Sequence, residues 1–318
     1  MSEAGQRRHL LLQIFSRTSR DSLPAMADHV TELVSLLGDN NANAGELAAI
    51  ILRDYALTGK ILQLVNSAYY SRGAPIGTIS RAVTAVGLDT LRQLAITMAL
   101  FEAFITTGHD KDEIAAAFAL SLLSATQSRL FCEGKRPDIS PEEAYVCGLL
   151  HNLGKIVVLA YLPWHHRDIA EKIRRGYSEE HSCRLALNGL TYSQIGQEMA
   201  TFWNFPKRIV ACMETVPEKP GKSQDLFLCL QNLTVFSNRL TDAFFHGSDL
   251  DLADLTLEFG DTLGIDHDEA LALVDRSIRI CETFSRAMRD SLEKIPKAGG
   301  GPVVVKKDDA GHWTRCPS

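Results

Sequence analysis

The sequence has no CxxC pair and an odd total of seven cysteines. A disulfide framework uses an even set, and a zinc site uses closely spaced ligands, so neither is predicted. Scattered cysteines are typical of reduced thiols in a cytoplasmic protein, where each acts as a small buried apolar side chain. The seven are Cys132, Cys147, Cys183, Cys212, Cys229, Cys281 and Cys316.

Long apolar runs and an excess of basic charge are also missing. No run of roughly 18 or more apolar residues occurs, so we expect no transmembrane helix. Arg7 and Arg8 precede only a short apolar run at Leu10–Leu12, without the cleavage site of a signal peptide. The net charge is -6 and the pI is about 5.9. Neither a nucleic acid nor an anionic membrane is therefore a predicted partner.

The sequence lacks the short motifs of several common enzyme classes. It contains no GxSxG motif, no phosphate-binding P-loop, no GxGxxG after a strand and no HExxH motif. No enzyme of these classes is predicted, and no cofactor is predicted.

Hydrophobic residues do recur at helical spacing. Leu47, Ile50 and Ile51 are separated by three and four residues, which is typical of one buried helix face. The same spacing over residues 271–292 predicts a long amphipathic helix that runs to about Ile295. No strand ladder is evident, so the predicted fold class is all-α.

Individual residues indicate where helices end. Gly87 is expected to stop one helix, and Asp89 to cap the next. In the segment VNSAYY (65–70), Asn66 can satisfy backbone groups at a helix end, so we interpret this segment as a structural lock.

The second half of the chain contains two composition changes. Residues 216–222, VPEKPGK, combine two prolines, a glycine and charge, and are the best candidate boundary before a C-terminal helical extension, 218–296. Residues 297–318 contain three consecutive glycines and mixed charges without a useful apolar face. This tail is predicted to be disordered.

The segment YVCGLLHNLGK, residues 145–155, is the most informative for function. It places His151 and Asn152 side by side on an apolar helix. A histidine followed by an aspartate could ligate a divalent metal ion that activates water for phosphoester hydrolysis. Asparagine brings no negative charge, so the pair is a weakened metal site.

The other histidines do not complete this site. His109 lies in a polar segment upstream, and His165, His166 and His181 lie in a charged stretch that we expect at the surface. No metal is therefore predicted. For His151 the favoured interpretation is a buried imidazole hydrogen-bonded to a neighbour; the alternative is a relic ligand or a contact to a small molecule.

Four stretches of the sequence resemble the HDOD domain, a divergent, all-helical branch of the HD superfamily found in bacterial signalling proteins. The likeness spans roughly residues 23–217, after an N-terminal segment, 1–22, and implies an HD-like bundle of short helices. The four stretches are LPAMADHVTELVSLL (23–37), IILRDYALTGKILQLVNSAYYSRGAPIGTISRAVTAVGLDTLRQLAI (50–96), GLLHNLGKIVV (148–158) and YSQIGQEMATFWNFPKRIV (192–210).

The resemblance also bears on metal binding. HD hydrolases hold a divalent metal ion with a histidine, a His-Asp pair and a later aspartate. HDOD proteins generally lack part or all of that set and are regarded as regulatory. Here Asn152 departs from the pair, Tyr192 stands where a histidine is common, and Glu214 with Thr215 occupies the usual place of two histidines.

We therefore predict a non-catalytic cytoplasmic protein of bacterial signal transduction. It would act by binding a protein partner, or a nucleotide or other small ligand in a vestigial pocket at His151, Asn152 and Tyr192. The C-terminal extension would dock on the body or support a homo-oligomer. The alternative is a residual metal-dependent phosphohydrolase that uses His151.

Overall fold

The computed structural model describes residues 3–20, 32–36, 43–53, 55–66, 76–107, 110–215, 225–247, 249–281, 305–307 and 313–315. Its body is a bundle of short helices, which confirms the all-α fold class. The helices are α1 (Glu3–Arg20), α2 (Ala44–Leu52), α3 (Tyr55–Val65), α4 (Ile79–Val86), α5 (Leu88–Thr107), α6 (Lys111–Lys135), α7 (Pro141–Leu150), α8 (Leu153–Tyr161), α9 (Pro163–Arg174), α10 (Glu179–Ala186), α11 (Tyr192–Phe202), α12 (Lys207–Ala211), α13 (Leu226–His246), α14 (Asp249–Leu263) and α15 (His267–Cys281).

Two glycines allow the central helices to approach closely. A Cβ atom on Gly148 of α7 would lie 2.8 Å from the Ala125 backbone of α6. A Cβ atom on Gly154 of α8 would lie 1.8 Å from the carbonyl oxygen of Tyr192, at the start of α11. Since no side chain fits at these contacts, the glycines of GLLHNLGK bring the backbones of α7 and α8 against their neighbours.

Local signals agree with most of the expected helix ends. Gly87 ends α4 with a φ of 89°, as predicted. Asp89 lies in the first turn of α5, which begins at Leu88, so its predicted role as the cap is wrong. The Asn66 amide donates to the Leu62 and Ile76 carbonyls at 2.7 and 2.8 Å, as the structural lock requires. Residues 67–70 of that segment lie outside the described residues.

The C-terminal extension contributes α13, α14 and α15. Helix α13 packs against α6 and α7, and α15 packs against α6. The predicted long helix is described as far as Cys281, and Phe284, Met288 and Leu292 lie outside the described residues.

A buried neutral network joins the extension to α6. Thr241 Oγ1 lies 3.1 Å from Ser124 Oγ and 3.3 Å from Gln127 Oε1, and Gln127 Nε2 donates to Ser277 Oγ at 3.4 Å. All four side chains are buried, and we call them the hydroxyl–amide network. Its internal hydrogen bonds fix how α13 and α15 seat on α6.

The range 297–318 contains one strand pair. Strands β1 (Val305–Lys307) and β2 (Trp313–Arg315) are antiparallel, with Val305 opposite Arg315. The predicted disorder is therefore wrong for these residues. For the rest of the range, which lies outside the described residues, it stays a prediction.

Two stretches, Lys111–Lys135 and Pro141–Tyr161, are long and apolar enough to cross a membrane by length and composition alone. In their most apolar windows, 72% and 89% of the residues are buried inside the protein. A helix that is apolar on all sides is found in a protein core as well as in a membrane, and these two stretches form the centre of the bundle.

Candidate functional site

His151 lies in the turn between α7 and α8 and is buried. Its Nδ1 is 3.0 Å from the carbonyl oxygen of Cys212. Because a carbonyl only accepts, Nδ1 carries the hydrogen, and burial lowers the pKa of the ring. This placement favours the interpretation of a buried neutral imidazole, while ligand binding by His151 stays a prediction.

Asn152 is directed to the C-terminal extension. Its Nδ2 donates to Asn238 Oδ1 of α13 at 2.6 Å, and Asn238 Nδ2 donates to the Thr234 carbonyl at 3.1 Å. The hydrogen-bond partner of Asn152 is therefore a second asparagine, Asn238. We call these two residues the amide pair; neither can carry the negative charge of a carboxylate.

Lys155 lies one turn beyond Asn152. Its ammonium group is 2.8 Å from the Glu179 carboxylate at the start of α10 and 5.8 Å from the centre of the Tyr192 ring. The charge of Glu179 raises the pKa of Lys155, and the charge of Asp242 raises it further. The Lys155 side chain is 36% exposed, so solvent still reaches this charge.

Tyr192 is buried, and its hydroxyl lies 3.3 Å from His166 Nδ1. With the hydroxyl donating, the other ring nitrogen of His166 carries its hydrogen toward Glu113 Oε2 at 3.5 Å. Burial raises the pKa of Tyr192, and burial followed by the charge of Lys155 lowers the pKa of His166 to about 4. Both groups are therefore neutral near pH 7.

The structure brings only part of the predicted site together. The hydrogen bonds of His151 and Asn152 reach α12 and α13, whereas the hydroxyl of Tyr192 reaches His166. Lys155 connects the two parts because it follows Asn152 by one turn and stacks on Tyr192. We call Lys155, His166, Glu179 and Tyr192 the lysine cluster.

Sequence reasoning missed most of these partners. The predicted surface position of His166 is wrong, since its side chain is only 15% exposed and bridges Tyr192 and Glu113. A signal was present: Leu162, which directly precedes α9, and Ile169 within it lie four residues before and three after His166, and both are buried. Asn238 follows Asn152 by 86 residues, and no local pattern links them.

Glu214 occupies one of the positions where the resemblance implies histidine. Its carboxylate accepts from the Thr215 backbone at 3.2 Å and from Gln197 Nε2 at 3.5 Å. Its charge opposes the effect of burial on the pKa of His151.

These residues do not fit the divalent metal ion that the HD superfamily implies. The amide pair shares a neutral hydrogen bond and contributes no carboxylate, and Lys155 adds a positive charge nearby. Among the described residues there is no group of three or more His, Cys, Asp or Glu side chains that could hold a metal ion. We derive no chemical step through a metal.

Solved structures share this helical arrangement. An HDOD domain protein of unknown function from Geobacter sulfurreducens has a TM-score of 0.68 and 23% identity, covering 88% of this chain and 98% of that one. A protein of Shewanella amazonensis, provisionally named a phosphohydrolase, has a TM-score of 0.62 and 21% identity, covering 83% of this chain and 93% of that one. At these identities the likeness shows the fold alone.

Sequence comparison extends the likeness to the family. An uncharacterized protein of Treponema pallidum is 24% identical in an alignment of 226 residues that covers 68% of this chain and 42% of that protein. The chain thus spans less than half the length of this relative. The family model of the HDOD domain matches residues 23–218. This range includes the turn that carries His151 and Asn152, and the lysine cluster. With more than half of its length matched, the chain belongs to the HDOD domain family.

Proposed function

We propose that this chain is a non-catalytic regulatory protein of bacterial signal transduction, whose HDOD domain acts by binding a protein partner or a small ligand. The observation that carries the proposal is the 2.6 Å hydrogen bond of the amide pair, Asn152 and Asn238. A divalent ion in a protein is held by anionic or imidazole ligands, and two amides bonded to each other bring no charge to it. A domain of this kind transmits a signal through contacts.

Lys155 supports the same proposal. Glu179 holds its ammonium group at 2.8 Å, and the raised pKa keeps that group charged at neutral pH. A fixed positive charge one turn from Asn152 repels a second cation brought to the same place. Lysine thus supplies the positive charge that the surrounding carboxylates need.

A residual metal-dependent phosphohydrolase is the competing class. One similar structure carries a provisional phosphohydrolase name, but its 21% identity supports a common fold and not a common reaction. Catalysis in this chain would need His151 and ligands other than the amide pair.

Metal content and turnover distinguish the two classes. We expect the purified full chain to hold less than one equivalent of Mn, Fe or Zn and to leave bis(p-nitrophenyl) phosphate and nucleotides intact. The matched variant is N152D with N238D, which introduces two carboxylates and is expected to retain more metal. A stoichiometric metal in the unmodified chain, with turnover abolished by H151A, would overturn the proposal.

The small-ligand form of the proposal places a nucleotide or similar molecule near His151, Asn152 and Tyr192. Selective binding to the folded state raises the melting temperature, so a thermal-shift screen of nucleotides is the direct test. The ligand that raises it should lose its effect in Y192F or H151A. We propose a cytoplasmic location as well, supported by the six described cysteines, which are buried and outside disulfides.

A further inference from the structure

Helix α14 has an outer face that the rest of the described chain leaves uncovered. Its inner face buries Leu252, Leu255 and Phe259 against the bundle. On the opposite side Leu250 and Leu257 are 76% and 81% exposed. Exposure of two large apolar side chains on one helix is a cost in water unless they are covered in another state of the protein.

The exposed leucines form one row with two aspartates. Leu250, Asp254, Leu257 and Asp261 follow each other by four, three and four residues, so they lie on a single stripe of the helix. All four are exposed, and we call them the leucine–aspartate stripe. The two leucines are two helical turns, or about 10 Å, apart.

The charge of this helix has one sign. Residues 249–263, DLDLADLTLEFGDTL, contain five acids and no lysine or arginine. Glu258 pairs with Arg239 of α13 at 2.8 Å, whereas Asp254 and Asp261 have no ion pair with another described residue. Within the part of the chain that the structure describes, the stripe therefore combines apolar side chains with negative charge that no ion pair neutralises.

The negative charge of the stripe favours some binding partners over others. A second copy of the chain would bring its own aspartates against these aspartates, and an anionic lipid surface would be repelled in the same way. A helix with an apolar face flanked by lysine or arginine satisfies both features, since its apolar residues cover the leucines and its basic residues pair with the acids.

We propose that the leucine–aspartate stripe of α14 is a docking surface for a basic amphipathic helix of a partner protein. The proposal rests on the proposed function, action through contacts, and names the chemistry of the protein partner. The stripe lies outside residues 23–218, which the family model matches, and therefore belongs to the extension of this chain.

The test measures binding of two synthetic 18-residue helical peptides to the full chain by isothermal titration calorimetry. Both peptides have the same leucine face, which is flanked by lysine in one and by glutamate in the other. We expect the lysine peptide to bind and the glutamate peptide to bind at least about tenfold more weakly.

Variants separate the apolar contribution from the charge. L250A with L257A should weaken binding of the lysine peptide by about tenfold or more, because two buried leucine contacts are lost. D254K with D261K should exchange the preference, so that the glutamate peptide binds better. The matched control is L12A with L52A, since these leucines are 55% and 59% exposed elsewhere on the surface. Circular dichroism checks that each variant is folded.

Either of two binding results would overturn the proposal. One is unchanged binding of the lysine peptide to L250A with L257A. The other is that a lysine peptide with alanine in place of leucine binds as tightly as the original peptide, which would mean that charge attraction alone explains the binding. If the unmodified chain forms a dimer and L250A with L257A does not, the stripe binds a second copy of the chain, and the proposal is likewise refuted. None of these results alters metal content or turnover, so failure here is distinct from failure of the proposed function.

Discussion

Helix α13 carries two polar faces that differ in charge and exposure. On one face Thr241 meets Ser124 and Gln127 in the hydroxyl–amide network, which is neutral and buried. On the other face Asn238 meets Asn152, and the charge of Asp242 acts on Lys155. These positions differ by only a few residues, so one helix supports both environments.

The difference separates a structural role from a role that can respond to a ligand. In the hydroxyl–amide network each polar group has its partner inside the protein, and any change leaves a buried group unsatisfied. In the lysine cluster Lys155 and Glu179 keep contact with water, with exposures of 36% and 51%. Their charges can therefore exchange one partner for another at little cost.

The largest effect is expected where the lysine cluster is assembled, at Gly154. In G154A the new Cβ atom would lie 1.8 Å from the Tyr192 carbonyl oxygen, so α8 and α11 must separate. Overpacking against backbone should lower the free energy of unfolding by about 3 kcal/mol or more, measured by urea denaturation.

The matched control is G134A in α6, where an added Cβ atom meets nothing within 4 Å. Alanine is the better helix former, so this change should be neutral or stabilise the protein by up to about 1 kcal/mol. Equal effects of G154A and G134A would contradict the close approach of α8 and α11.

The next effect tests the neutral face of α13. Q127A removes the amide between Thr241 and Ser277 and leaves a small cavity, which should cost about 2 kcal/mol in unfolding free energy. K155Q in the lysine cluster should cost less than about 1 kcal/mol, because Lys155 and its ion-pair partner Glu179 both keep contact with water. Equal costs would remove the distinction between the hydroxyl–amide network and the lysine cluster.

Sequence patterns predicted the parts of the structure that depend on local spacing. Helical periodicity predicted the all-α class, Gly87 ended its helix, and Asn66 made the expected contacts to backbone groups. His151 and Asn152 were identified because the related metal-binding motif has an aspartate at the position that Asn152 occupies here. Each of these signals lies within a few residues of the feature that it predicts.

The remaining features depend on partners that are distant in sequence. The meaning of Asn152 changes when Asn238 is known, and α13 carries no motif that marks this residue. The charged composition around His166 favoured the surface, although its buried neighbours Leu162 and Ile169 indicated the core. The burial of His166 depends on which helix face packs against the bundle, and the average composition of the segment does not indicate that face.

The last effect concerns pH and is carried by His166 of the lysine cluster. His166 has a pKa of about 4, below its ordinary 6.5, first because of burial and then because of the charge of Lys155. Between these two values the unfolded chain binds the proton and the folded protein does not, so stability falls as pH falls from 6.5 toward 4. Between pH 6.5 and 5 this contribution changes by roughly 1.5 kcal/mol.

H166Q keeps an acceptor for the Tyr192 hydroxyl but cannot be protonated, so its unfolding free energy should fall less over this interval than that of the unmodified protein. Q127A contains no altered titratable group and should keep the unmodified slope, because the hydroxyl–amide network carries no charge at either pH. Urea denaturation of the three proteins at several pH values makes the comparison. The same slope in H166Q and the unmodified protein would mean that His166 is protonated as easily when folded as when unfolded. The hydroxyl–amide network and the lysine cluster would then differ in exposure and not in their response to protons.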